Sequence, residues 1–152
     1  NSLKVILACF PNLKTLDLSY KNIGVVGARV LANELKENEV LQSLNLRGNR
    51  IGVEGARGLA DALRVNTTLK SLNLNNSMIG TVGARVLANK LKENKTLKVL
   101  YFEDNHSGCM GFNAMVGMLK ANNTLRTLSI RWALTGPDEV VNLVEEINYI
   151  TI

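Results

Sequence analysis

Leucine recurs along this chain at an interval that leaves few folds open. Leu13, Leu41, Leu69, Leu97 and Leu125 stand 28 residues apart, and three residues after them come Leu16, Leu44, Leu72, Leu100 and Leu128. Two further on are Leu18, Leu46, Leu74, Phe102 and Ile130. The unit Leu-x-x-Leu-x-Leu is thus present five times without an insertion. A fixed period of roughly 20–50 residues marks a solenoid, in which each unit is one supersecondary element stacked on the next.

The alternation Leu16-x-Leu18 predicts a short strand, because a period of two puts both leucines on one face and the residue between them on the other. The second half of the unit changes period. Ala28, Leu31, Ala32 and Leu35 fall at i, i+3, i+4 and i+7, and the spacing returns as Ala56, Leu59, Ala60, Leu63 and as Ala84, Leu87, Ala88, Leu91. That predicts a helix with one apolar stripe of small and medium side chains. Each helix then meets an asparagine, at Asn38, Asn66, Asn94 and Asn122. Asparagine tolerates the left-handed backbone that often ends a helix, so this column is assigned as a C-terminal cap. Gly24, Gly27 and their copies are assigned to the turn into each helix, not to a phosphate loop.

One strand and one helix cannot cover their own apolar faces, so the units must stack. The expected fold is α/β: a right-handed α/β solenoid of five 28-residue repeats, with a concave parallel sheet and helices on the convex side. Residues 1–152 are expected to form a single domain. Both ends break off in mid-pattern. Leu3 and Leu7 align with Leu31 and Leu35, and Ile147, Ile150 and Ile152 form an apolar tail. The chain therefore reads as a piece of a longer array, or as a short array whose last repeat has turned into a cap.

Charge and cysteine content narrow the partners. Eighteen basic and 13 acidic residues give a net charge of +5, which suits an acidic partner or an anionic surface and is too weak to argue for nucleic acid. Cys9 and Cys109 match no metal-ligand spacing and are expected to be buried or half-buried free thiols in a reducing compartment. No stretch approaches the roughly 18 apolar residues of a membrane span. The expected location is the cytoplasm.

The unit Leu41-x-x-Leu44-x-Leu46-x-x-Asn49-x-Ile51-Gly52-x-x-Gly55-Ala56-x-x-Leu59-Ala60-x-x-Leu63-x-x-Asn66-x-Thr68 resembles the ribonuclease-inhibitor-type leucine-rich repeat. Similar arrays occur in NOD-like receptors, in Ran GTPase-activating proteins, and in repeat proteins of protists and intracellular bacteria. The likeness covers residues 3–147, with thirteen of the 28 positions recurring in phase. It implies a horseshoe that binds proteins on its concave surface. Departures are local. Phe112, Met115 and Val116 replace Ala, Leu and Ala; Glu139 replaces a glycine and Ala133 an asparagine; Lys21 and Ser77 replace the asparagine retained as Asn49 and Asn105. These substitutions leave the local geometry near 108–116 and 131–140 open. A backbone-bonding ladder is expected only at Asn49 and Asn105.

The resemblance aims three positions per strand at the concave side: Thr15, Asp17, Ser19; Ser43, Asn45, Arg47; Ser71, Asn73, Asn75; Val99, Tyr101, Glu103; and Thr127, Ser129, Arg131. Arg47, Asn73, Asn75, Tyr101, Glu103, Arg131 and Trp132 are the candidate partner-binding residues, since interface anchors favour Trp, Tyr and Arg. Trp132 could instead close the apolar end of the stack. A second pattern is a basic rim, formed by Lys14, Lys70, Lys98 and Arg126 before the strands and by Lys36, Arg64, Lys92 and Lys120 at the helix ends. Its plain explanation is that cations complement helix C-termini and keep an edge soluble. Arg29, Arg57 and Arg85 should form a solvated ladder on the outer helix face.

No catalytic or metal site is expected. His106, Asp104 and Cys109 share one loop without support from neighbouring repeats. The expected function is a non-enzymatic recognition scaffold for another protein, such as the sensor part of a NOD-like receptor, with possible links to innate immunity. No cofactor, small-molecule substrate, nucleic acid or membrane is expected, and the oligomeric state is open. The rivals are a Ran-type GTPase-activating protein and anionic-surface binding through the basic rim.

Overall fold

The computed structural model describes residues 5, 9–132 and 139–142, with 131–132 and 139–142 described as backbone. Leu3, Leu7, Ala133, Ile147, Ile150, Ile152 and the side chains of Arg131, Trp132 and Glu139 lie outside the described residues. Strands and helices alternate: β1 (Thr15–Asp17), α1 (Gly24–Glu37), β2 (Ser43–Asn45), α2 (Gly52–Val65), β3 (Ser71–Asn73), α3 (Gly80–Leu91), β4 (Val99–Tyr101), α4 (Gly108–Ala121), β5 (Thr127–Trp132) and β6 (Glu139–Asn142). The six strands form one sheet in chain order. β1 to β5 are parallel, and their register repeats the sequence period, pairing Leu16, Leu44, Leu72, Leu100 and Leu128 in one row.

Burial follows both periods. Leu44, Leu72, Leu100 and Leu128 are at most 1% exposed, and the stripe residues of α1 to α3 are buried with them. Leu13, Leu16 and Leu18 of the first repeat are half-buried and pack against the same core. Strands pack about 4.8 Å apart whereas helices need about 8–10 Å, so stacking in register puts the sheet on the inside of the curve. The fold is the α/β solenoid that the repeat predicts.

The loop from strand to helix has its own repeat. Tyr20, Asn22 and Gly24 have positive φ, as do Gly48, Arg50 and Gly52, then Asn76, Met78 and Gly80, then Asp104, His106 and Gly108. In the first loop this alternation turns the amides of Lys21 and Ile23 onto one acceptor, the Asn49 side-chain oxygen of the next repeat, at 3.0 and 3.1 Å. Asn105 does the same for Ser77 and Ile79. Both amide nitrogens donate back to strand-end carbonyls, Leu18 and Leu46 for Asn49, Leu74 and Phe102 for Asn105. Ser77, where the asparagine is lost, reaches the Leu46 carbonyl through its hydroxyl.

The structure corrects the expected asparagine caps and decides the two stretches whose local geometry was open. The asparagines that end the helices are not left-handed: Asn38, Asn66 and Asn122 have φ of −81°, −69° and −93° with extended ψ. They act through their side chains. Asn66 donates to Leu35 O and accepts from Leu69 N. Secondly, α4 is a regular helix despite its substitutions, because Met115 fills the leucine site with no exposed surface while Phe112 packs against the core. Thirdly, the last segment of the fifth repeat pairs antiparallel with β5, matching Ser129 with Asn142 and Trp132 with Glu139. The glycine that Glu139 replaces lies against the neighbouring helix in earlier repeats, where a Cβ at Gly111 would be 3.0 Å from Ala84 Cβ; a glutamate disfavours that close packing, and Val140 and Val141 favour a strand.

Candidate functional site

The concave face is built from the residues between the inward leucines. One row across the sheet reads Asp17, Asn45, Asn73, Tyr101, Ser129. Its members are tied sideways and to the strand ends. Asn45 donates to Asp17 Oδ2 at 3.1 Å. Asp17, Asn45 and Asn73 each accept the backbone N–H two residues on, from Ser19, Arg47 and Asn75. Asn75 accepts the Glu103 amide, and the Ser129 hydroxyl donates to the Glu103 carboxylate. Hydrogen bonds from the side chain and amide of Ser19, with a further one from Asn45 and the nearby Lys21 charge, hold the Asp17 carboxyl below the usual carboxylate range.

The candidate residues therefore divide. Asn73 and Asn75 face the concave side, but their oxygens hold the turns at the strand ends. Tyr101 projects from a row of smaller polar neighbours and keeps 38% of its surface exposed. A large ring above small residues is open to a partner and already positioned by its strand, which is the profile of an interface anchor. Glu103 is half-buried one strand from Ser129. Arg47 is exposed, and its guanidinium lies 5.8 Å from the centre of the Tyr20 ring.

Tyr20 was not legible as a site residue. It sits in the first strand-to-helix loop, 61% exposed, in the left-handed conformation. Glycine at 48 leaves the space that its ring occupies. Met78, two repeats on in a neighbouring loop column, is also left-handed and 54% exposed. The usable signal is variation between repeats: positions 20, 48, 76 and 104 read Tyr, Gly, Asn and Asp, and positions 22, 50, 78 and 106 read Asn, Arg, Met and His. Holding such side chains in the left-handed region costs roughly 1–2 kcal/mol each.

All eight basic-rim residues are exposed. Their strand-side members share one backbone ladder, in which Gln42, Lys70, Lys98 and Arg126 each donate to the carbonyl one repeat earlier at 2.7–2.8 Å. Arg29, Arg57 and Arg85 are exposed on the helices, and Arg57 pairs with Glu54. Cys9 and Cys109 are free but exposed, which corrects the expected burial, and His106, also exposed, joins no group of three or more metal-ligating side chains among the described residues. No described helix is long and apolar enough to cross a membrane.

Fold and repeat together define the architecture: an α/β solenoid built on a leucine-rich repeat. A family model described as Leucine Rich repeat matches residues 11–32, 37–60 and 65–88. No curated protein matches the sequence. Among solved structures, the actin-binding site 2 of leiomodin-1 is similar with a TM-score of 0.79 at 25% identity, over 89% of this chain and 80% of that one. The tropomodulin C-terminal domain of Caenorhabditis elegans has a TM-score of 0.70 at 16% identity, over 82% and 77% of the two chains. These findings support a leucine-rich-repeat family and do not select the ribonuclease-inhibitor or NOD-like subtype.

Proposed function

We propose that this chain is a non-enzymatic scaffold that binds another protein on its concave face, anchored around Tyr101 and bordered by the strand-to-helix loops that carry Tyr20 and Arg47. The observation that carries this reading is the exposed Tyr101 ring set among small, hydrogen-bonded neighbours. Such a row is rigid before binding, so ordering it costs a partner little. Arg131 and Trp132 continue the same edge of the sequence pattern and extend the proposed anchor. The regular 28-residue unit keeps the ribonuclease-inhibitor type as the proposed repeat subtype.

The likeness to the leiomodin-1 actin-binding site favours actin as the partner to test. Titration of monomeric actin with the wild-type chain should give saturable binding, weakened by Tyr101→Ala and unchanged by Arg29→Ala on the convex side. Absence of binding would reject actin. Binding that Tyr101→Ala and Arg47→Ala leave intact would reject the concave face as its surface.

A further inference from the structure

The surface charge of this protein is segregated on one edge. The turns that lead from helix ends to strand starts carry nine cations, the eight rim residues and Lys95, against three carboxylates, Glu37, Glu39 and Glu93. The whole chain has 18 basic and 13 acidic residues. The edge therefore holds more positive charge than the entire net balance, and everything else is close to neutral.

The two plain explanations account for only part of this. Helix C-termini attract cations, which covers Lys36, Arg64, Lys92 and Lys120. Lys14, Lys70, Lys98 and Arg126 precede strands, where no helix dipole acts. Nor is this an open sheet edge in need of charged guards; the sheet's edges are β1 and β6, at the ends of the stack. No ion pair among the described residues neutralises a rim cation. Among the described residues the two ion pairs use Arg57 and Lys90, both on the helices. The hydrogen bonds made by rim ammonium groups go to the neutral amides of Asn33 and Asn89.

We propose that this turn edge binds the anionic surface of a phospholipid membrane. Lysine supplies seven of the nine cations, and a flexible point charge suits a diffuse field of headgroups better than a fixed bidentate contact. The column of strand-side cations spans about 19 Å over four strand spacings, longer than a single phosphopeptide site needs. The edge's one aromatic side chain among the described residues, the exposed Phe10 of its first turn, gives no row on which successive nucleic-acid bases could stack. A ledge of 4–8 basic residues is the pattern that anionic leaflets attract, at roughly a fivefold gain in partition per cation. Docking on this edge leaves the concave face open, so the two surfaces can act together.

The test is co-sedimentation with vesicles of phosphatidylcholine alone and with about one-third phosphatidylserine. The wild-type chain should bind only the anionic vesicles, and high salt should release it. A rim variant, Lys14→Gln/Lys70→Gln/Lys98→Gln/Arg126→Gln, should lose about a hundredfold or more in partition. A control variant with the same charge loss, Lys21→Gln/Arg29→Gln/Arg50→Gln/Arg85→Gln, should lose less than about threefold because its sites face away from the bilayer. Single reversals, Lys70→Glu and Lys98→Glu, serve if the quadruple variant does not fold. Equal losses in rim and control variants would overturn the proposal, since net charge would then suffice. So would binding to polyglutamate or a single-stranded oligonucleotide without binding to anionic vesicles, which would assign the edge to a soluble polyanion.

Discussion

The side-chain amide of Asn66 donates at 2.7 Å to the carbonyl of Leu35, in the last turn of the helix one repeat earlier, while its oxygen accepts the Leu69 amide at 2.8 Å. Asn94 joins Leu63 to Leu97 in the same way, and Asn122 joins Leu91 to Leu125. A helix leaves its last carbonyls without partners. In this stack the next repeat supplies a donor, so the asparagine that ends one helix also satisfies the one before it.

Asn66→Ala should therefore destabilise the array by about 2–3 kcal/mol, because it strands a buried acceptor and a buried donor. Urea unfolding measures this. A loss below about 0.5 kcal/mol would mean that water takes the place of the amide.

Leu72 is 1% exposed in the central strand. Leu72→Asp puts an unpaired carboxylate into the core and should abolish cooperative unfolding. Asn73→Ala should cost only about 0.5–1 kcal/mol, for the lost bond to the Asn75 amide. Circular dichroism melts of the two variants would contradict the inward-leucine register if Leu72→Asp melted like wild type.

Two glycines of α4 should respond in opposite directions. A Cβ at Gly111 would meet Ser107 Cβ at 2.7 Å and Ala84 Cβ at 3.0 Å, whereas one at Gly117 would meet nothing within 4 Å. Gly111→Ala should lower the melting temperature. Gly117→Ala should raise stability by about 0.5–1 kcal/mol, as expected for glycine replaced by alanine inside a helix.

The Asp17 carboxyl should titrate below the ordinary range, and Ser19→Ala should move it back upward by removing the largest cause of the shift. The depressed pKa in the folded state means that its contribution to stability is present above the unfolded value near 4 and is lost as pH falls through the folded value. Carboxyl chemical shifts followed by NMR report it directly. A Ser19→Ala protein with an unmoved Asp17 titration would assign the shift to Asn45 or Lys21 instead.

In calorimetric titration with a partner of the concave face, Tyr101→Ala and Arg131→Ala should each cost more than about 1 kcal/mol, while Ser43→Ala and Ser71→Ala cost little. Equal losses at all four positions would contradict anchoring at Tyr101. Losses confined to Lys70 and Lys98 variants would move protein binding to the basic edge.

Much of the architecture was determined by residue order alone, because each repeat buries its leucines against copies of itself. A side chain such as Leu72 needs only its own period to be placed inside, and Leu44 and Leu100 beside it follow from the shared register. The helix stripes were legible for the same reason. The basic columns could be read as columns, and Tyr101 as a concave anchor candidate. What the tertiary structure decided concerns partners far apart in the chain. The position of Asn66 marks a helix end locally, yet its action depends on a carbonyl 31 residues earlier. The placement of Tyr20 on the space left by Gly48, beneath Arg47, likewise joins two repeats. The antiparallel pairing of β6 was only hinted at by the loss of the glycine at Glu139 and by Val140 and Val141, because its partner, β5, is fixed by the sheet and not by the local sequence. Whether charges are neutralised was also beyond the sequence: columns of lysine can be counted in one dimension, but an ion pair or its absence exists only once the helices and turns are in place.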